Sequence, residues 1–87
     1  MRGPAHALYA ISVAAELSGT AMQNLRVYER RGLVSPHRTS GGTRRYSDDD
    51  VERLVRIREL LDAGLNLAGI ERVLELEDEV ARLRATR

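Results

Sequence analysis

Two groups of side chains in this chain have the types and spacing for chemistry. Gln23, Asn24, Arg26 and Arg30 fall within one short stretch, and Arg38, Arg44 and Arg45 flank the pair Gly41-Gly42. Gln and Asn amides can pair with the edge of adenine, while an Arg guanidinium matches guanine or a phosphate. The chemistry on offer is therefore hydrogen bonding to a polyanion, not bond breaking. The only histidines, His6 and His37, lie in a tail and a loop, and no Cys is present. That leaves no nucleophile–base pair, no thiolate metal site, no disulfide and no thiol redox sensor. Asp48-Asp49-Asp50 suggests a divalent metal at first sight, but a helix start explains it better, because acidic groups there complement the helix dipole. Gly41-Gly42 lacks the phosphate-loop pattern and the Lys that pattern needs. Neither an enzyme nor a resident cofactor is expected.

Charge supports a polyanionic partner by its placement. The 87 residues carry a formal net charge of only +1. Residues 1–46 hold seven Arg against Glu16 and Glu29, a formal +5, whereas residues 47–87 hold seven Arg against eleven Asp and Glu, a formal −4. The chain thus divides into a basic front and an acidic back. All fourteen basic residues are Arg. A biased genomic base composition produces the same excess, so the argument rests on where the arginines sit. No apolar run approaches a membrane span or a signal-peptide core, which leads us to expect a cytoplasmic protein.

The elements that must hold these groups can be read in order. Residues 1–8 (MRGPAHAL) lack any period and read as a flexible tail. Ala15, Gly19 and Leu25 have the spacing of two short helices meeting at a steep angle. The small Ala15 admits the second helix, Gly19 makes the turn and Leu25 fills the angle. Ser12 is the expected N-cap of the first helix, with Val13, Ala14 and Leu17 facing inward and an end near Ser18. Thr20 and Gln23 fit a capping box for the second helix. That helix runs to Arg31, stops at Gly32 and buries Leu25 and Tyr28, with Met22 at the edge. Its exposed face carries Ala21, Gln23, Asn24 and Val27, with Arg26 and Arg30 beside them.

Leu33 and Val34 read as a short strand entry between the breakers Gly32 and Pro36. The following stretch, PHRTSGGTRRY, has a hairpin turn at Gly41-Gly42 and is closed by the aromatic Tyr46. It has the form of a wing, a basic β-hairpin beside the helix pair. Ser47 then caps a third helix whose apolar face is Val51, Leu54, Val55, Ile57, Leu60 and Leu61, and Gly64 ends it. Asn66 caps a fourth helix opening at Leu67 or Ala68. Within it Val73, Leu76, Val80 and Leu83 form an a/d seam with β-branched a and Leu d positions. That seam is expected to pair with a second copy.

With these residues in view, the chain resembles the MerR family of bacterial transcription regulators. The resemblance rests on LRVYERRGLV (25–34), RTSGGTRRYS (38–47) and AGLNLAGI (63–70), and spans Ile11 to about Leu76. Within the family, ISVAAELSG (11–19), GLVSPHRTSGGTRRYS (32–47) and NLAGIERVLELE (66–77) look most like the heat-shock repressor branch, HspR. The resemblance implies a homodimeric repressor binding inverted repeats upstream of chaperone genes, with an Hsp70-type chaperone as co-repressor. Four departures stand out. Val27 replaces the first of two adjacent aromatics found in many relatives. The cysteines of the metal and redox sensors are missing, as is the large ligand domain of the drug sensors. The chain also ends after about two heptads of the seam, as a truncated form or a small paralogue would.

The expected fold is therefore mainly α, a winged helix-turn-helix domain with a small β-hairpin wing and a C-terminal dimerisation helix. The divisions are tail 1–8, winged helix-turn-helix 9–67 and helix 68–87. The expected DNA-facing residues are Ala21, Gln23, Asn24, Arg26, Val27, Tyr28 and Arg30 on the helix, with Arg38, Arg44, Arg45 and Tyr46 on the wing. Val73, Leu76, Val80 and Leu83 are the expected dimer contacts. Expected partners are double-stranded DNA with an inverted repeat, a second copy of the chain and the chaperone, in the nucleoid-associated cytoplasm of a bacterium and without a membrane. Two other readings stay open: an excisionase-like protein that bends DNA, and an interaction module whose acidic helices bind a chaperone or another regulator.

Overall fold

A computed structural model describes residues 7–86. The elements run β1 (Leu8–Tyr9), α1 (Ile11–Ser18), α2 (Met22–Arg30), β2 (His37–Arg38), β3 (Arg44–Ser47), α3 (Asp48–Asp62) and α4 (Leu67–Ala85). Most of the expected tail lies outside the described residues. Leu8 does not belong to it, because β1 pairs antiparallel with β3 through Leu8↔Ser47 and Tyr9↔Tyr46. With His37↔Arg45 and Arg38↔Arg44 on the other side, the sheet has the order β1-β3-β2.

Helix α1 is turned relative to the sequence expectation. Its buried residues are Ala14, Ala15 and Ser18, and Ile11 completes that stripe at helical spacing. Val13 and Leu17 point outward and are exposed, which corrects their assignment to the inner side. The N-cap is Ala10, not Ser12, and no side chain caps it. Ser18 enters the core because its hydroxyl donates to Ala14 O at 2.7 Å, so its burial leaves no unmet donor. The turn into α2 depends on Gly19, whose φ of 68° is left-handed. There Gly19 N–H donates to Glu16 O and Thr20 N–H to Ala15 O, closing α1. A Cβ on Gly19 would lie 2.9 Å from the Arg58 guanidinium, which donates to Gly19 O.

Helix α2 is capped by Ala21 without any side-chain bond, so the Thr20–Gln23 box does not form. The Thr20 hydroxyl instead reaches back to Ser18 O. Leu33 and Val34 are buried but make no strand. Their chain folds directly off the end of α2, where Leu33 N–H donates to Tyr28 O at 2.9 Å and Leu33 O accepts from Arg53.

The α3 start matches the sequence reading. Ser47 Oγ accepts from Asp50 N–H at 3.0 Å, and the Asp50 carboxylate accepts from Ser47 N–H at 2.9 Å. Asp48 accepts from the Tyr9 hydroxyl at 2.7 Å and so ties β1 to α3. The acidic triplet is thus a capping device. Leu54, Ile57 and Leu60 carry α3 into the core, where they join Leu25, Tyr28, Tyr46, Ile70 and Leu74. Asn66 caps α4 by accepting from Gly69 N–H at 2.8 Å.

Only the first part of α4 belongs to this core, through Ile70, Leu74 and the half-buried Val73. Ion pairs Arg31–Glu71 (2.6 Å), Arg56–Glu77 (2.6 Å) and Arg53–Asp78 (3.0 Å) lash it to α2 and α3. Beyond them the helix presents Leu76, Val80 and Leu83 at 45%, 46% and 52% exposure. With Val73, Glu77, Ala81 and Arg84 the first two line a groove of about 400 Å³. Among the described residues no helix is long and apolar enough to cross a membrane.

Candidate nucleic-acid interface

The surface in question is built from α2 and the β2–β3 hairpin, and the core dictates which of their side chains face out. Leu25 and Tyr28 point inward from α2, so Gln23, Asn24, Arg26 and Arg30 are left exposed on the other side, and Val27 is half-buried at its edge. Gln23, Arg26, Val27 and Arg30 follow helical spacing and share one face. Arg26 and Arg30 engage no carboxylate among the described residues, so both guanidiniums are available to an outside anion. Ala21 is exposed at the N-cap and adds no donor beyond its backbone.

The hairpin turns through Thr39 to Thr43. Gly42 takes a φ of 85° and donates its N–H to Thr39 O at 2.8 Å, while Thr39 N–H donates to Thr43 O. The Thr39 hydroxyl accepts from Thr43 N–H at 3.2 Å. The turn signal at Gly41-Gly42 is thus used as a turn, and Gly42 supplies the left-handed residue.

Two of the eleven residues expected at a DNA surface lie beneath it. Tyr46 is 0% and Tyr28 4% exposed, so both rings support the surface from inside the core. Burial pushes both phenols up in pKa, keeping them neutral. Their place follows from the fold: Tyr46, on the central strand β3, pairs with Tyr9 of β1, and Tyr28 faces inward beside Leu25. Among the described residues the buried Tyr46 hydroxyl has no hydrogen-bond partner.

The wing arginines differ in how far they are committed. Arg45 is half-buried and, among the described residues, donates only to the neighbouring Arg44 O, at 3.2 Å. Arg44 and Arg38, from opposite arms of the hairpin, both meet Glu29 on α2. Arg44 Nε lies 2.5 Å from Glu29 Oε1, and Arg38 Nη2 lies 2.8 Å from Glu29 Oε2. Arg38 Nη1 also donates to Gly42 O at 3.0 Å. Burial pushes the Glu29 carboxyl up, but the hydrogen bonds from Arg44 and Arg38 and their charges outweigh it and hold it below the ordinary value. Sequence reasoning missed Glu29, because no local pattern brings a helix carboxylate to two hairpin arginines.

Of the expected dimer contacts, Leu76, Val80 and Leu83 form an exposed stripe, while Val73 is shared with the core.

Comparison with known proteins places this geometry. The model of the MerR HTH family regulatory proteins matches residues 9–77. Over 79 residues the chain is 57% identical to the Streptomyces coelicolor protein named heat shock protein HspR, covering 90% of this chain and 52% of that one. It is 42% identical over 71 residues to the transcriptional regulator GlnR of Bacillus anthracis, covering 82% of this chain and 55% of the relative. Among solved structures, it superposes with a TM-score of 0.74 and 32% identity on HiNmlR, described as a MerR family regulator lacking the sensor domain, bound to promoter DNA. That match covers 80% of this chain and 54% of the other. The chain therefore spans about half the length of the relatives it matches. GlnR is named as a transcriptional regulator and HiNmlR as a MerR family regulator, and neither name is that of an enzyme. An exposed polar face on the second helix, a basic hairpin beside it and the match over residues 9–77 lead to one assignment: the chain belongs to the MerR family of helix-turn-helix transcriptional regulators.

Proposed function

We propose that the chain is the DNA-reading part of an HspR-like repressor, which binds an inverted repeat as a homodimer. The observation that carries this reading is the face of α2, where Gln23, Asn24, Arg26 and Arg30 stand exposed beside a hairpin holding three more arginines. In this account α2 enters the major groove, Gln23 and Asn24 read adenine, and Arg26 takes guanine or a phosphate. Arg38, Arg44 and Arg45 meet the flanking phosphates or minor groove. Residues 9–67 do the reading. Residues 68–87 join two copies through Val73, Leu76, Val80 and Leu83, and the two-fold axis so created demands an inverted repeat. Working as a repressor of chaperone genes, with an Hsp70-type chaperone as co-repressor, is the finer part of the proposal, and identity to HspR supports it.

Recovering and sequencing the duplex fragments bound by the chain tests the reading. Two half-sites in inverted orientation are expected, upstream of chaperone genes. Cooperative filaments on direct repeats would favour an excisionase-like architectural role instead. DNA affinity that does not fall with salt would favour the interaction-module reading, since phosphate contacts release counterions. Adding an Hsp70-type chaperone should tighten the complex; no change would remove the co-repressor from the account.

A further inference from the structure

We infer that Glu29 is a positioning residue for DNA recognition: its carboxylate clips both arms of the wing to the second helix and fixes the offset between them. The inference rests on the reading that α2 and the hairpin touch one duplex together. Each carboxylate oxygen of Glu29 takes one arm, Oε1 from Arg44 on β3 at 2.5 Å and Oε2 from Arg38 on β2 at 2.8 Å. The Glu29 side chain is 20% exposed and that of Arg44 31%, so this pair is partly shielded from water. Arg38 extends the clip to the far end of the turn through its bond to Gly42 O. One helix residue thereby holds the first arm, the second arm and the tip.

The clip leaves donors free. Arg44 is held through Nε, and both of its Nη groups are uncommitted among the described residues. A guanidinium gripped along one edge by a carboxylate is oriented, and its remaining N–H groups can still meet phosphate oxygens. The second helix and the wing would contact phosphates on either side of one groove, so their spacing must match the duplex. Among the described residues no other hydrogen bond or ion pair joins the hairpin to α2, although Tyr46 also packs in the same core as Leu25 and Tyr28. A Glu29 acting merely as a competitor for the arginines would predict the opposite outcome when it is removed.

The experiment compares the wild type with Glu29→Ala and Glu29→Gln. Each is titrated onto the duplex that the wild type selects and onto a scrambled duplex of equal length. Removing Glu29 adds one unit of positive charge, so affinity for the scrambled duplex should hold or rise. Affinity for the selected duplex should fall about tenfold, within the range for residues coupled in one ion-pair network. Glu29→Gln, which keeps the acceptor and the volume, should fall between the two. A merely structural role is separated by placing Glu29→Ala in an Arg38→Ala/Arg44→Ala background. With both clipped arginines gone, it should no longer change the discrimination between duplexes. If Glu29→Ala does not fold, Glu29→Gln decides on the same criterion. Equal gains on both duplexes, or unchanged discrimination, would overturn the inference and leave the DNA-reading function standing. A wild type that discriminates between no duplexes would instead overturn that function, and the inference with it.

Discussion

Replacing Leu76 and Leu83 by Asp probes how two copies assemble, and the structure sets the size of the effect. Full burial of a Leu or Val side chain contributes about 1.5–3 kcal/mol. Leu76, Val80 and Leu83 are already about half covered at 45–52% exposure, so a partner adds only ~1 kcal/mol at each. Three such side chains from each of two protomers give roughly 6 kcal/mol. A micromolar dimer needs about 8 kcal/mol net, after an association cost of about 4 kcal/mol or more. The isolated chain should therefore be monomeric at micromolar concentration. On an inverted repeat the DNA holds both copies close, and an effective concentration of about millimolar makes the same weak contact count. The two Asp substitutions would place charge against the partner's apolar stripe while leaving the exposed positions of the monomer undisturbed. Melting should be unchanged, and cooperative loading of the palindrome should disappear. Sedimentation with palindromic and half-site duplexes measures both. One protomer per palindrome at saturation for the wild type, or undiminished cooperativity in the double-Asp variant, would refute the reasoning.

Other perturbations probe the wing and its support. Tyr46→Phe removes a buried hydroxyl that lacks a partner among the described residues, so thermal unfolding should show an unchanged or higher stability, by up to about 1 kcal/mol. A clear loss would mean that the hydroxyl has a partner, such as an enclosed water. Replacing Arg44 and Arg45 by Ala together should weaken binding to every duplex and flatten the salt dependence by about 1–2 units of slope per protomer; an unchanged slope would show that the wing does not touch DNA. The lowered Glu29 carboxyl makes its contribution to stability present above its ordinary value of 4.5 and lost as pH falls through the lower folded value. The stability gap between wild type and Glu29→Gln should accordingly close on acidification, and a gap constant with pH in urea titrations would contradict the ion-pair account.

Local signals were legible in the sequence and long-range ones were not. The Ser47 cap, the Asn66 cap and the turn at Gly41-Gly42 need only neighbours within a few residues, and each stands where the sequence put it, although the return bond from Ser47 N–H to Asp50 was not foreseen. The helix-turn-helix spacing was equally local, since the buried Ala15 and Leu25 flank the left-handed turn at Gly19. β1 was missed because two residues carry no periodicity, and its pairing partner Ser47 lies far along the chain. In α1, eight residues with apolar side chains on several sides do not fix the inner stripe. The packing of α1 against α2, α3 and β3 decided it, burying Ala14, Ala15 and Ser18 and turning Val13 and Leu17 out. The Thr20–Gln23 box failed because the turn after Gly19 places Ala21, not Thr20, at the N-cap. Of the interface, the exposed face of α2 followed from the buried positions Leu25 and Tyr28. The Glu29 clip joins three elements and leaves no mark in any one of them.

The central claim is that the exposed face of α2 reads base sequence, and single substitutions on that face test it most directly. Gln23→Ala and Arg26→Ala should each be titrated, at one fixed salt concentration, onto the selected duplex and onto a scrambled one. A loss of about 1–3 kcal/mol is expected on the selected duplex, with preference relaxed at one or two base pairs. On the scrambled duplex, uncharged Gln23→Ala should cost almost nothing. Equal losses on both duplexes for each substitution would contradict the claim, leaving α2 as a phosphate contact without a reading role.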